Sequence, residues 1–215
     1  MPSWNIHTAH VEWLLSEHTP AELGISDTNV FLFGNFVPDI YVGFMVPDTT
    51  YKINYLATHM ADPSPVPLPH ADRFRHNYLR RRQTDLCRGV WAHLMADYLY
   101  NFATREFLAA HDLQMGEQTR IKKQADFADF GRTLPIAMRV EATPELIQAG
   151  AEFPHYTILE RDVRAAVDVA NGIVEDNRIH HISGVPDYRM LDAEFFAATF
   201  HRVNDAIVEG LLALK

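Results

Sequence analysis

The sequence predicts an all-α fold in a single domain spanning residues 1–215, and three observations carry that reading. Apolar residues recur at intervals of three and four through most of the chain, the spacing that lines one face of a helix, while almost nothing alternates with the two-residue period of a half-buried strand. Helix-start residues stand directly ahead of apolar runs, as Thr143 does before Pro144 in "TPELIQAGAEF". The length suits one well-buried core, and no repeat, low-complexity tract or interdomain linker divides the chain.

The elements follow in order. Ile6, Ala9, Val11, Trp13, Leu14 and Leu15 make a first helix with Ser3 as N-cap, and "TPAELGISD" breaks it. In "TNVFLFGNFVPDIYVGFMVPD" the apolar run is interrupted by Gly34, Pro38, Gly43 and Pro47, which predicts a brief helix leading into irregular backbone. Residues 48–70 end on Pro63, Pro65, Pro67 and Pro69 and are predicted to be largely loop, long enough to suggest a functional role. Helical spacing returns from Asp72 to His111 as two helices joined near Thr84 and Asp85. "QTRIKKQADFADFGRTLPIAMRV" predicts another helix, with Phe127 and Phe130 on a buried stripe and Lys122 and Lys123 in solvent. A short helix in "TPELIQAGAEF" and long ones in "YTILERDVRAAVDVANGIVEDN" and "LDAEFFAATFHRVNDAIVEGLLAL" complete the set.

Composition narrows the function classes. With 47% hydrophobic and 22% charged residues the chain matches a folded, soluble protein rather than a disordered or fibrous one. A net charge of −9, and no basic track beyond the short "RFRHNYLRRR", argue against binding duplex nucleic acid. Nothing approaches the roughly 18 consecutive apolar residues of a membrane span, and no basic leader precedes an apolar segment, so a cytoplasmic location is expected. Cys87 is the one cysteine, which excludes an internal disulfide and a thiolate metal cluster. Any metal must be held by nitrogen and oxygen.

Against that background the twelve histidines stand out. In "GVWAHLMADYLYN", His93 and Asp97 are four apart among Trp91, Leu94, Met95, Tyr98 and Leu99. A helix puts both on one face, where they can reach a common atom or simply hydrogen-bond to each other. A carboxylate buried there demands a partner or a metal. His7 and His10 share a face of the first helix, Asp39 follows the stiff Pro38 turn in "GNFVPDI", and His59 sits in "ATHMA" ahead of the proline-rich loop. Asp39, His59, His93 and Asp97 would supply four nitrogen and oxygen ligands, a set that suits zinc. A second cation held by His7 or His10, with Asp97 bridging, would complete a pair able to clamp a phosphate and activate water.

The order "WNIHTAH", "FLFGNFVPDI", "THM", "HLMADYLYN" resembles the bacterial zinc-dependent phospholipase C family, whose all-helical fold is shared with the zinc-dependent single-strand nucleases. With its "MPSW" start and "KKQADFADF" the chain looks closest to an intracellular branch, and after Phe130 it is similar only in being helical. The resemblance implies a helical bundle of that type with Asp39, His59, His93 and Asp97 on one zinc, and Asp97 shared with a second zinc held by His7. Other divalent metals are alternatives. It also implies that Asp39 orients or deprotonates an attacking water, and that the substrate is a small phosphate ester: a phospholipid headgroup, a nucleotide or another diester.

The chain departs from that pattern in three places. The secreted enzymes use a free N-terminal tryptophan amine as a ligand, whereas Trp4 here follows "MPS". Asn101 stands where their helix carries a further histidine, which leaves Asn101 and His10 as secondary candidates for metal or substrate. No H-x3-E lies downstream, and the nearest pair is His201 with Asp205. Two functions remain open: a metal-dependent hydrolase of phosphoric esters, with an open position beside the ligands, and a non-catalytic helical protein whose structural metal is closed off by protein groups. His18, His70, His76 and His155 read as capping or solvated residues, His180 and His181 as a loop pair able to close on a phosphate, and His111–Asp112 as a helix terminus. No phosphate-binding glycine loop or nucleophile elbow is present.

Overall fold

The computed structural model describes residues 2–214, and among them every regular element is helical. In chain order these are α1 (Trp4–Glu17), α2 (Thr28–Gly34), α3 (Val37–Ile40), α4 (Tyr55–Thr58), α5 (Ala71–Phe74), α6 (Asp85–Ala110), α7 (Glu117–Thr133), α8 (Pro144–Ala151), α9 (Glu160–Ile179) and α10 (Ala193–Leu212). Local chemistry sets where many of them start. Side-chain oxygens of Asp27, Asn54, Thr84, Thr143 and Asp192 accept the backbone N–H of Val30, Ala57, Cys87, Leu146 and Phe195, each satisfying a donor that the first helical turn leaves free. Thr84 is thus the joint expected between the two helices of residues 72–111, and the first of those continues from α5 into a π-type turn over Arg75–Leu79.

Four expectations need correction. Ser3 occupies the N-cap of α1, yet its hydroxyl donates to Asn5 Oδ1 instead of accepting a helix N–H. α7 stops at Thr133 rather than continuing to Val140, because Pro135 has no N–H to offer and forces Leu134 into the extended conformation. The following strap is pinned by its own backbone: Ala137 and Met138 donate to the Glu12 carboxylate, and Val140 pairs with the Asn171 amide. α9 begins at Glu160, four residues later than the pattern suggests. Lys123 is buried while Lys122 stays in solvent. Its ammonium lies 5.9 Å over the Phe127 ring, and burial holds its pKa below the usual lysine value.

α6 runs through the middle of the molecule. α2 packs along one side and α10 along another, and one large apolar cluster joins Trp4, Phe33, Trp91, Leu94, Leu146, Val163 and Phe196. The α2–α6 crossing is backbone against backbone. A Cβ on Gly34 would stand 2.5 Å from the Leu86 carbonyl oxygen, and one on Gly89 only 2.1 Å from that of Phe31. No other residue fits at either position, and this close approach delivers the end of α2 to the side chains of α6. No described helix is long and apolar enough to cross a membrane.

Candidate metal centre

Five side chains from four elements meet on the inner face of α6. His93 and Asp97 project from α6 itself, His7 from α1, Asp39 from the single turn of α3, and His59 from the C-terminal end of α4. His7, His59, His93 and Asp97 are fully buried, and Asp39, 7% exposed, is the one that reaches the rim. His59 Nε2 stands 3.1 Å from His93 Nε2, 3.5 Å from Asp39 Oδ1 and 3.4 Å from Asp97 Oδ2. His93 Nε2 is 3.7 Å from Asp97 Oδ2, and His7 Nε2 is 3.6 Å from Asp97 Oδ1. Ligand atoms at about 2.0–2.2 Å from a tetrahedral ion are separated from one another by roughly 3.3–3.5 Å. The distances from His59 Nε2 to its three neighbours, 3.1–3.5 Å, are of that size.

Hydrogen bonds on the far side of each ring fix what the near side offers. His93 Nδ1 lies 2.7 Å from the Asn35 carbonyl oxygen, an acceptor only, so Nδ1 carries the proton and Nε2 a lone pair. His59 Nδ1 lies 2.8 Å from Thr58 Oγ1, a hydroxyl that can take its proton and so leave Nε2 a lone pair to offer. In that tautomer two lone pairs face each other across 3.1 Å. That arrangement is repulsive with nothing between the rings and favourable with a shared cation. His7 makes the same point: both of its ring nitrogens, and Asp97 Oδ1 beside it, are buried without a hydrogen-bond partner, which is costly for groups removed from water. Two overlapping sets, His7/His93/Asp97 and Asp39/His59/His93, could each hold a metal ion. The donors, nitrogen and oxygen only, suit a divalent metal ion.

Neighbours tune the charges. Burial raises the Asp39 pKa against the pull of His59, while the Trp4 indole N–H donates to Asp39 Oδ2 at 3.1 Å. Burial, then the neighbouring His7, pushes His93 well below the usual histidine value, which keeps its ring neutral and ligand-competent. The Tyr55 ring stacks on His59 at 3.9 Å, and its hydroxyl donates to Asp97 Oδ2 at 3.4 Å.

The secondary candidates fare differently. His10 is not at the centre: its Nδ1–H donates to Asn204 Oδ1 at 2.6 Å, its Nε2 accepts from the Tyr100 hydroxyl at 3.3 Å, and its ring stacks on Phe200. Asn101 lies one turn beyond Asp97, beside the Tyr55 hydroxyl, and its amide N–H ties the Pro67 carbonyl of the proline-rich loop to α6. His201 and Asp205 are exposed, and His180 folds back onto Asp176 of its own helix. Reasoning from sequence missed Trp4, Thr58 and Tyr55, which carry no ligand spacing of their own and act only through the residues they touch. The centre is also enclosed, not the cleft that a substrate would enter directly. Five surface cavities of 300–470 Å³ are lined by other residues.

No protein-family model, curated protein or solved structure matches this chain. The candidate centre therefore rests on its own geometry.

Proposed function

We propose that this chain is a metal-dependent hydrolase of phosphoric esters, built on a helical bundle of the phospholipase C and zinc nuclease type. The observation that supports it best is the placement of Asp97, whose Oδ1 faces His7 while its Oδ2 faces His59 and His93. One carboxylate thereby faces histidines on both sides, where it could bridge two cations. Divalent cations held there, zinc in this reading, would supply positive charge for the phosphoryl oxygens and acidify a water molecule. The chain supplies the rest. Asp39 turns Oδ1 toward His59 and leaves Oδ2, steadied by Trp4, to orient a water and accept its proton. Substrates in this reading are phospholipid headgroups, nucleotides or other small diesters.

A second reading, a metal kept for folding alone, is favoured by the enclosure of the four fully buried residues. Asp39→Asn separates the two. An amide oxygen can still coordinate but cannot take a proton, so hydrolysis should fall much further than metal occupancy. If metal-loaded wild-type protein turns over nothing in a broad panel of phosphate esters, and chelation lowers its melting temperature in proportion to metal content, the structural reading replaces the hydrolase.

A further inference from the structure

The two ligands that do not sit on long helices, Asp39 and His59, belong to single turns of backbone, α3 and α4, that are too short to hold their own geometry. Something outside them must set their separation. The segment between α8 and α9 contains an adjacent pair that touches both. The Tyr156 hydroxyl donates to the Val37 carbonyl at 3.1 Å, and His155 Nε2 lies 3.0 Å from the Ala57 carbonyl. A carbonyl can only accept, so His155 carries its proton on Nε2 and takes one on Nδ1 from the Tyr78 hydroxyl, 2.9 Å away. Val37 and Ala57 are each two residues ahead of a candidate ligand, Asp39 and His59 respectively.

We infer that His155 and Tyr156 form a clamp that sets the spacing of Asp39 and His59, so that these two are positioning residues of the metal centre. The inference rests on the metal reading above. The surroundings make the clamp stiff. Tyr156 packs edge-on against Phe153 and Tyr41 at 5.0 and 5.7 Å, and the far end of α3 is held by the same region through the Tyr41 hydroxyl on Asp162 and the Leu159 N–H on Tyr41. The Tyr51 hydroxyl adds a bond to the Thr157 carbonyl. His155 thus has a use that its position in a loop does not announce: an imidazole bridging the Tyr78 hydroxyl and the Ala57 carbonyl, the latter 98 residues away in sequence.

The test compares wild type with Tyr156→Phe, His155→Gln and the double variant His155→Ala/Tyr156→Phe, all as full chains. It reads zinc affinity by equilibrium dialysis, the visible spectrum of bound cobalt(II), and amide exchange of the metal-free protein. Outer partners of metal ligands typically affect affinity by roughly 10–100-fold, and the double variant should lose zinc affinity in that range. It should also lose the intense tetrahedral cobalt spectrum and exchange faster at 37–41 and 55–60, with the amides of α6 unchanged. His155→Gln, whose amide can both donate and accept, should restore most of the affinity. Tyr156→Phe removes a single oxygen and keeps the ring, so it remains informative if the double variant fails to fold. Unchanged affinity, spectrum and exchange in folded Tyr156→Phe and double variants would overturn the clamp while leaving the metal centre standing. A wild type that binds neither ion overturns the metal reading, and exchange at the two segments then still decides whether the clamp exists.

Discussion

His7 and His10 lie one turn apart on the same face of α1, both buried, and the structure treats them in opposite ways. His10 has a donor and an acceptor matched to a neutral ring, with an aromatic ring stacked against it. It is a core residue whose polar atoms are satisfied. His7 has neither nitrogen satisfied and faces the unpartnered Asp97 Oδ1 across a distance too long for a hydrogen bond. A buried polar group without partners costs about 1–3 kcal/mol, so the second pattern persists only where something else repays it. The difference teaches that burial of a histidine says little about its role. The inventory of its partners says nearly everything.

The largest expected effect is that of Asp97→Asn, which removes the charge that faces His7 through one oxygen and His59 and His93 through the other. Metal binding should drop by more than the roughly 10–100-fold typical of outer partners, whereas His10→Gln should leave metal content where it was. Equal losses in the two variants, measured by metal analysis of dialysed protein, would erase the contrast between the histidines. Gly89→Ala comes next. The new Cβ would meet the Phe31 carbonyl at 2.1 Å, so α2 must shift and carry the Asn35 carbonyl away from His93 Nδ1. Overpacking of this kind costs about 1–3 kcal/mol, and a melting curve with a parallel zinc titration should show both a less stable protein and weaker binding.

His10 gives a pH signature of its own. Burial pushes its pKa down from 6.5 to about 3, so the native state resists the proton that the unfolded chain accepts. The stability this contributes is complete above pH 6.5 and drains away as the pH falls from 6.5 toward 3. Metal-free His10→Gln, lacking that group, should lose stability less steeply over the same window in denaturant titrations; an unchanged slope would mean that His10 is not held neutral. The smallest effect concerns Met60, which follows His59 with φ of 53° in the left-handed region. Met60→Gly relieves about 1 kcal/mol of backbone cost but removes a side chain packed against the core, so stability should change little, with zinc affinity unchanged, because His59 is oriented by Thr58 and Tyr55 rather than by strain after it.

Much of this was legible in the sequence, and the reasons differ by element. α9 and α10 show one apolar face each, from Val163 through Val174 and from Phe195 through Leu211, so periodicity announces them. The caps at Thr84 and Thr143 announce their helices equally well. α6 is buried on nearly every side, so what stood out there was polarity inside an apolar run, and that led to His93 and Asp97. The spacing of His7 and His10 could not tell the two apart, because their partners, Asn204 above all, come from the other end of the chain. The burial of Lys123 escapes local pattern for a similar reason: a lysine's stem is apolar enough to be buried, and only the packing of α7 decides whether it is. The enclosure of the centre is likewise a tertiary property, set by loops whose course no local signal fixes.

On the metal reading His7, Asp39, His59, His93 and Asp97 together hold metal. Its most direct measurement is the metal content of protein purified without a histidine tag and analysed by plasma emission spectrometry after exhaustive dialysis. The account predicts one or two divalent ions per chain, zinc foremost, lost together when Asp97 is replaced by Asn. Wild-type protein that carries no metal above the dialysis blank, and takes up none from added zinc, would contradict it.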